Sequence, residues 1–164
     1  MNLFPWLLWL HIFGAIVAFG PTFVFPLIGG MGAKEPMHAN FAMRISEKIE
    51  RGVVIPLAIV QGVTGVGLIL VSGRDLTSFG NYWLGVAIVL YSIALYFAIF
   101  IQLKRVEKVV HMTSTPPPPP APGVAPAGPP PALLTAVKAV QQGGMFLTVL
   151  IVTIIFLMII KPGS

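Results

Sequence analysis

Four stretches of the chain are almost wholly apolar, and short polar intervals separate them. The first runs from Leu3 to about Ile28 and holds no formal charge. The second runs from Gly52 to Val71, the third from Tyr82 to Leu103, and the fourth from about Gly143 to Ile160. A helix needs about 20 apolar residues to cross a hydrocarbon core about 30 Å thick, so each stretch predicts a transmembrane helix. Pro21 and Pro26 predict a kink or an end near the far side of span one, and Pro56 falls in the first turns of span two. Leu133, Leu134, Val137 and Val140 keep helical spacing, which gives the fourth helix room to begin earlier. The predicted fold class is all-α, a four-helix transmembrane bundle.

The polar intervals differ in character. Between spans one and two, Pro36 suits a first helical turn. Phe41, Ile45 and Ile49 then share one face, with Arg44, Glu47, Lys48, Glu50 and Arg51 around the rest. That spacing predicts a short amphipathic helix before span two. Ser72 to Asn81 reads as a polar turn. Residues 113–132 carry Pro116 to Pro120, Pro122, Pro126 and Pro129 to Pro131. Such a run favours neither helix nor sheet and predicts a polyproline II or disordered linker before span four. A docking site for a proline-reading domain is the alternative.

Composition changes this picture only by naming the solvent. The chain has 164 residues, 56% of them hydrophobic and 9% charged. A soluble domain carries about 25% charged residues, so lipid surrounds most of these side chains. There is no cysteine, which excludes disulfides, thiolate metal sites and cysteine nucleophiles. The net charge of +5 builds no nucleic-acid face. Lys34, Arg44, Lys48 and Arg51 lie in the first interval, and Lys104, Arg105, Lys108 and Lys138 in the third. Only Arg74 and Lys161 lie on the opposite side. The positive-inside rule then predicts both termini outward and the proline-rich loop in the cytosol. Trp6, Trp9, Tyr82 and Trp83 fall where the outer interface is expected. No basic residue precedes Lys34, and the first apolar run exceeds a signal-peptide core, so it reads as a retained span.

One ionisable residue stands out within the spans. His11 falls about 12 Å down the first helix from Leu3. Counting inward from the outer ends brings Thr64 and Gln61 of span two, Tyr91 of span three and Thr153 of span four to a similar depth. If all face inward they form one polar layer. Two readings of that layer stay open. In one, a neutral His11 bonded to Thr64 or Tyr91 fixes helix register. In the other, His11 is the axial ligand of a haem b, and the remaining four residues line its pocket. His38 and His111 fall in the cytosolic intervals, so one chain offers no histidine pair across the membrane. A third reading, copper transport, draws on Met31, Met37, His38 and Met43, with His111 and Met112. Gly14 with Ala18, and Gly62, Gly65 and Gly67, predict close helix packing. No hydrolase, kinase or metalloprotease motif is present. The absence of Asp, Glu, Lys and Arg from the spans counts against an ion-coupled transporter.

Several short motifs together resemble a family. They are Leu10-His11 followed by Gly14, Arg44 before span two, Thr64-Gly65 within it, and the ending Leu157-Met158-Ile159-Ile160-Lys161-Pro162. They resemble a bacterial family of small four-helix membrane proteins, described as predicted integral membrane proteins of unknown function. The resemblance implies a multi-pass protein of the cytoplasmic (inner) membrane. More distantly, the pattern is similar to HemJ-type protoporphyrinogen oxidase and to CopD-type copper-resistance membrane domains. The span-one histidine of the HemJ type matches His11. Its intramembrane lysine in span three has no counterpart between Tyr82 and Leu103. The resemblance therefore carries haem binding further than oxidase activity. The leading expectation is a non-enzymatic structural or accessory subunit, as a homo-oligomer or within a larger membrane complex. A haem-binding protein of redox or tetrapyrrole metabolism is the alternative.

Overall fold

The computed structural model describes residues 2–76, 78–114 and 128–163. Among them the fold is all-α, without strands, and four long apolar rods are candidate membrane spans. This agrees with the four apolar stretches of the sequence. The first rod joins α1 (Phe4–Phe19), a 3-10 turn (Gly20–Phe23) and α2 (Phe25–Lys34). The second joins α3 (Ala39–Ile49), a π turn (Glu50–Val54) and α4 (Ile55–Ser72). The third joins α5 (Tyr82–Phe97), a π turn (Ala98–Gln102) and α6 (Leu103–Thr113). The fourth is the single helix α7 (Pro131–Ile160).

Prolines explain where the rods change geometry. Pro21 falls at the start of the 3-10 turn and Pro26 in the first turn of α2. Instead of ending at Ile28, the rod resumes and continues to Lys34. Pro56 has no N–H for the carbonyl of Gly52, and its ring crowds that oxygen. The chain accommodates both effects by widening into a π turn just before it. Pro131 opens α7 at the position where a missing N–H is harmless. The proline tract at 115–127, expected to be polyproline II or disordered, lies outside the described residues.

The four rods do not form an evenly packed bundle. α1 lies along α4, and α5 lies along α7, while α4 and α5 touch only briefly. Two helix pairs therefore stand apart, with a cleft of about 2740 Å³ between them. Within the first pair, Ala18 is fully buried, and Gly14, Gly62 and Gly65 let side chains of other residues lie against the backbone. A methyl group at Gly14 would come within 2.9 Å of Gln61 Oε1, and one at Gly62 within 3.1 Å of the Tyr91 hydroxyl. The predicted use of small residues for close approach is thus satisfied inside the chain.

The pairs are joined at the end that carries the proline-rich connection, where α3 packs against α2 and α6. Asn40 Nδ2 donates to the Val110 carbonyl at 3.0 Å and to Thr113 Oγ1 at 3.1 Å. Arg51 pairs with Glu107 and, at 3.7 Å, with Glu47. Arg51 is exposed, so this clasp is screened by solvent. Arg51→Ala is expected to lower stability by less than about 1 kcal/mol, read from the denaturation midpoint in detergent.

The amphipathic helix predicted before span two is present as α3. Phe41 is 64% exposed, Ile45 and Ile49 are half-buried, and Ser46 and Glu50 are buried. Ala39 and Ala42 come close to α2, where a methyl group at Gly32 would stand 3.1 Å from Ala42 Cβ. Trp83, at the start of α5, is 3% exposed, with Arg74 and Lys161 at 5.8 and 6.0 Å from its ring centre. Trp6 and Trp9 are exposed.

Candidate functional site

His11 is held by a chain of hydrogen bonds that runs into span two. Thr64 Oγ1 donates to the Gln61 carbonyl at 3.0 Å. Having used its proton there, the hydroxyl accepts from His11 Nδ1, 2.9 Å away. With the Thr64 proton on the Gln61 carbonyl, the ring proton falls on Nδ1 and Nε2 keeps its lone pair; with it on Nδ1, the tautomer reverses. Gly65 makes the arrangement possible, because a methyl group there would stand 3.3 Å from His11 Cε1. The ring edge therefore lies against span two where a side chain would crowd it. His11 and Gly65 both line the cleft.

Tyr91 joins the same level from span three. Its hydroxyl donates to the Ala58 carbonyl, and its ring fills the space left by Gly62. Gln61 is buried, and its Oε1 has no hydrogen-bond partner among the described residues. His11, Gln61, Thr64 and Tyr91 thus come together around the α1–α4 contact and the adjoining cleft wall. Thr153 does not join them. It is exposed, and its hydroxyl turns back to its own Val149 carbonyl at 2.8 Å. α7 is apolar on all sides, so its sequence gives no sign of which face turns inward. The predicted layer is therefore built by three spans, without Thr153.

The residues considered for copper are scattered. Met31 and Met37 are exposed, His38 lies 4.0 Å from Glu35 in an exposed pair, and Met43 and Met112 line the cleft. No group of three or more His, Cys, Asp or Glu able to hold a metal ion occurs among the described residues.

Two polar residues that sequence reasoning did not single out, Gln102 and Glu50, are buried in the rods. Gln102 ends the second π turn and donates through Nε2 to the Val140 carbonyl at 3.0 Å. Arg105 Nη1 reaches the Ala139 carbonyl at 3.2 Å. Together they fasten span three to span four beside Gly143. Glu50 opens the first π turn and is 5% exposed. A span two that begins at Gly52 excludes Glu50 from the apolar rods. The signal that could have found it is the small-residue face of α3, since Glu50 follows Ala42 and Ser46 at four-residue spacing.

The comparisons with known proteins agree with this architecture. A family model described as "Predicted integral membrane protein (DUF2269)" matches residues 5–162. No curated protein and no solved structure matches the chain. With four apolar rods and a match that spans nearly its whole length, the chain belongs to the DUF2269 family of predicted integral membrane proteins.

Proposed function

We propose that this membrane protein binds haem in the cleft between its helix pairs, where His11 would be the residue that holds the iron. The observation that carries this reading is the His11–Thr64–Gln61 chain, which, with the Thr64 proton on the Gln61 carbonyl, frees Nε2 on a residue lining an apolar cleft. A histidine ligand ordinarily donates its other ring N–H to a second group that fixes its tautomer and tilt. Thr64 does this here. The donor set fits a haem bound through one imidazole, with Ile12, Ala15, Val66 and Ala87 among the apolar residues that keep water away. When bound, haem supplies one-electron or oxygen chemistry. The chain's own part is to fix the imidazole, admit its ring beside Gly65, and line the site with apolar side chains.

The test is a visible spectrum of the protein purified in mild detergent from haem-replete cells. A Soret band is expected. A colourless preparation that also fails to take up added haem contradicts the reading.

A structural or accessory role in a larger membrane assembly is the second reading. The exposed residues Ile59, Val63 and Leu70 on α4 favour it, since such a surface suits a neighbouring helix as well as lipid. The packing glycines of α4 do not, because His11, Tyr91 and Leu7 already occupy the space beside them. Retention of a partner through gentle extraction and crosslinking, in a colourless protein, would decide for this role.

The orientation proposed is both termini outward across a bacterial cytoplasmic membrane, on the distribution of Lys and Arg. A reporter fused after Ser164 is expected to be active on the outer face. Cytosolic activity would reverse the assignment.

A further inference from the structure

Glu50 is the one buried carboxylate among the described residues, and it makes neither an ion pair nor a hydrogen bond there. Its neighbour in sequence, Arg51, is committed to Glu47 and Glu107. Those two carboxylates also lie close enough to Glu50 to add like charge. A buried carboxylate without a counter-charge is among the costliest groups a fold can carry. In a membrane helix such a group points to function before structure.

The surroundings define what would satisfy it. Glu50 lines the cleft together with Ser46, Val54, Val106 and Val109. The Ser46 hydroxyl spends its proton on the Ala42 carbonyl at 3.1 Å, so its oxygen is left as an acceptor. The site therefore offers acceptors and negative charge, within apolar walls. Its ligand must donate hydrogen bonds, carry positive charge and bring an apolar body. A divalent metal ion is a poor match, since hard cations need about six oxygens and no cluster of three candidate ligands is found among the described residues.

We propose that Glu50, assisted by Ser46, binds the primary ammonium group of an amphiphile whose apolar body lies in the cleft. The site is separate from His11. Thr64, the partner of His11, lies fourteen residues further along the same rod, about 21 Å away at 1.5 Å per residue. The inference therefore stands or falls independently of haem. Two sources can supply the group: the headgroup of an aminophospholipid, or a small lipophilic amine. A charge-assisted hydrogen bond from ammonium to carboxylate is the interaction that selects it.

The experiment measures binding of a radiolabelled long-chain alkylamine, and of the alcohol of equal chain length, to the full chain in nanodiscs of phosphatidylcholine. Wild type is expected to prefer the amine by about tenfold or more, the scale of a hydrogen bond to a charged group. Glu50→Gln, which keeps the shape, is expected to lose that preference, and Ser46→Ala to weaken it. Phosphatidylethanolamine added to the nanodiscs competes with the amine if the natural source is a lipid headgroup. It leaves amine binding unchanged if the source is a free amine. Equal binding of amine and alcohol by wild type overturns the proposal without recourse to any variant, and shows a carboxyl group kept neutral. A preference that survives in a folded Glu50→Gln protein overturns it as well.

Discussion

Gly143→Val is expected to destabilise the protein by about 1–3 kcal/mol, the range for forced overpacking. A Cβ at this position would collide with Gln102 Oε1 and would lie 3.0 Å from Gln102 Cδ and 3.1 Å from Arg105 Nη1. Gln102 cannot retreat freely, because its Nε2 is bonded to Val140 on the same helix as Gly143. Displacing it breaks that bond and strands an amide among apolar side chains, where an unpaired polar group costs more than in water. Arg105 is driven from the Ala139 carbonyl by the same movement. Both fasteners between spans three and four are therefore lost together. Circular dichroism during thermal or chemical unfolding in detergent reads the effect. Shortening Gln102 should relieve it. The pair Gly143→Ala and Gln102→Ala is expected to be less damaging than the sum of its members, by about 1 kcal/mol or more of coupling. Strict additivity would mean that the two side chains do not meet.

Thr64→Val is expected to weaken haem binding by about 10- to 100-fold while leaving the fold intact. Valine matches threonine in shape but has no hydroxyl. The exchange removes the acceptor for His11 Nδ1 and the donor to the Gln61 carbonyl. The imidazole then has no partner to fix its tautomer or tilt, which is the ordinary consequence of losing a histidine ligand's outer partner. Titration of the purified protein with haem, followed at the Soret band, measures the loss. Thr64→Ser keeps the hydroxyl and is expected to retain most of the affinity. An unchanged affinity in Thr64→Val would show that the hydroxyl orients nothing.

The four spans are legible in the sequence because crossing a bilayer leaves a signal of length and composition that rotation cannot blur. His11, Thr64 and the glycines beside them are legible for a related reason. A polar or missing side chain inside an apolar helix needs a partner, and depth alone brings these together. Rotation is the part that sequence does not carry. Spans apolar on every side show no preferred face, so depth puts Thr153 in the inner layer although its side chain points away. In α3 an apolar stripe is visible, yet Phe41 on it is exposed while Ser46 and Glu50 beside it are buried. In lipid, exposure of apolar side chains carries no penalty, and close packing of small residues sets the inward face instead. The π turns add a second obstacle. Each shifts the register between the helices on its two sides, so a face read on one side does not carry evenly onto the other. The cleft itself arises from how two helix pairs meet, which no single span encodes.

The most direct measurement is the spectrum of His11→Gly with and without added imidazole. If His11 Nε2 holds the iron, the variant folds, loses the Soret band of the wild type, and regains it when free imidazole fills the space left by the ring. A His11→Gly protein that binds haem as the wild type does, with no response to imidazole, would contradict the account.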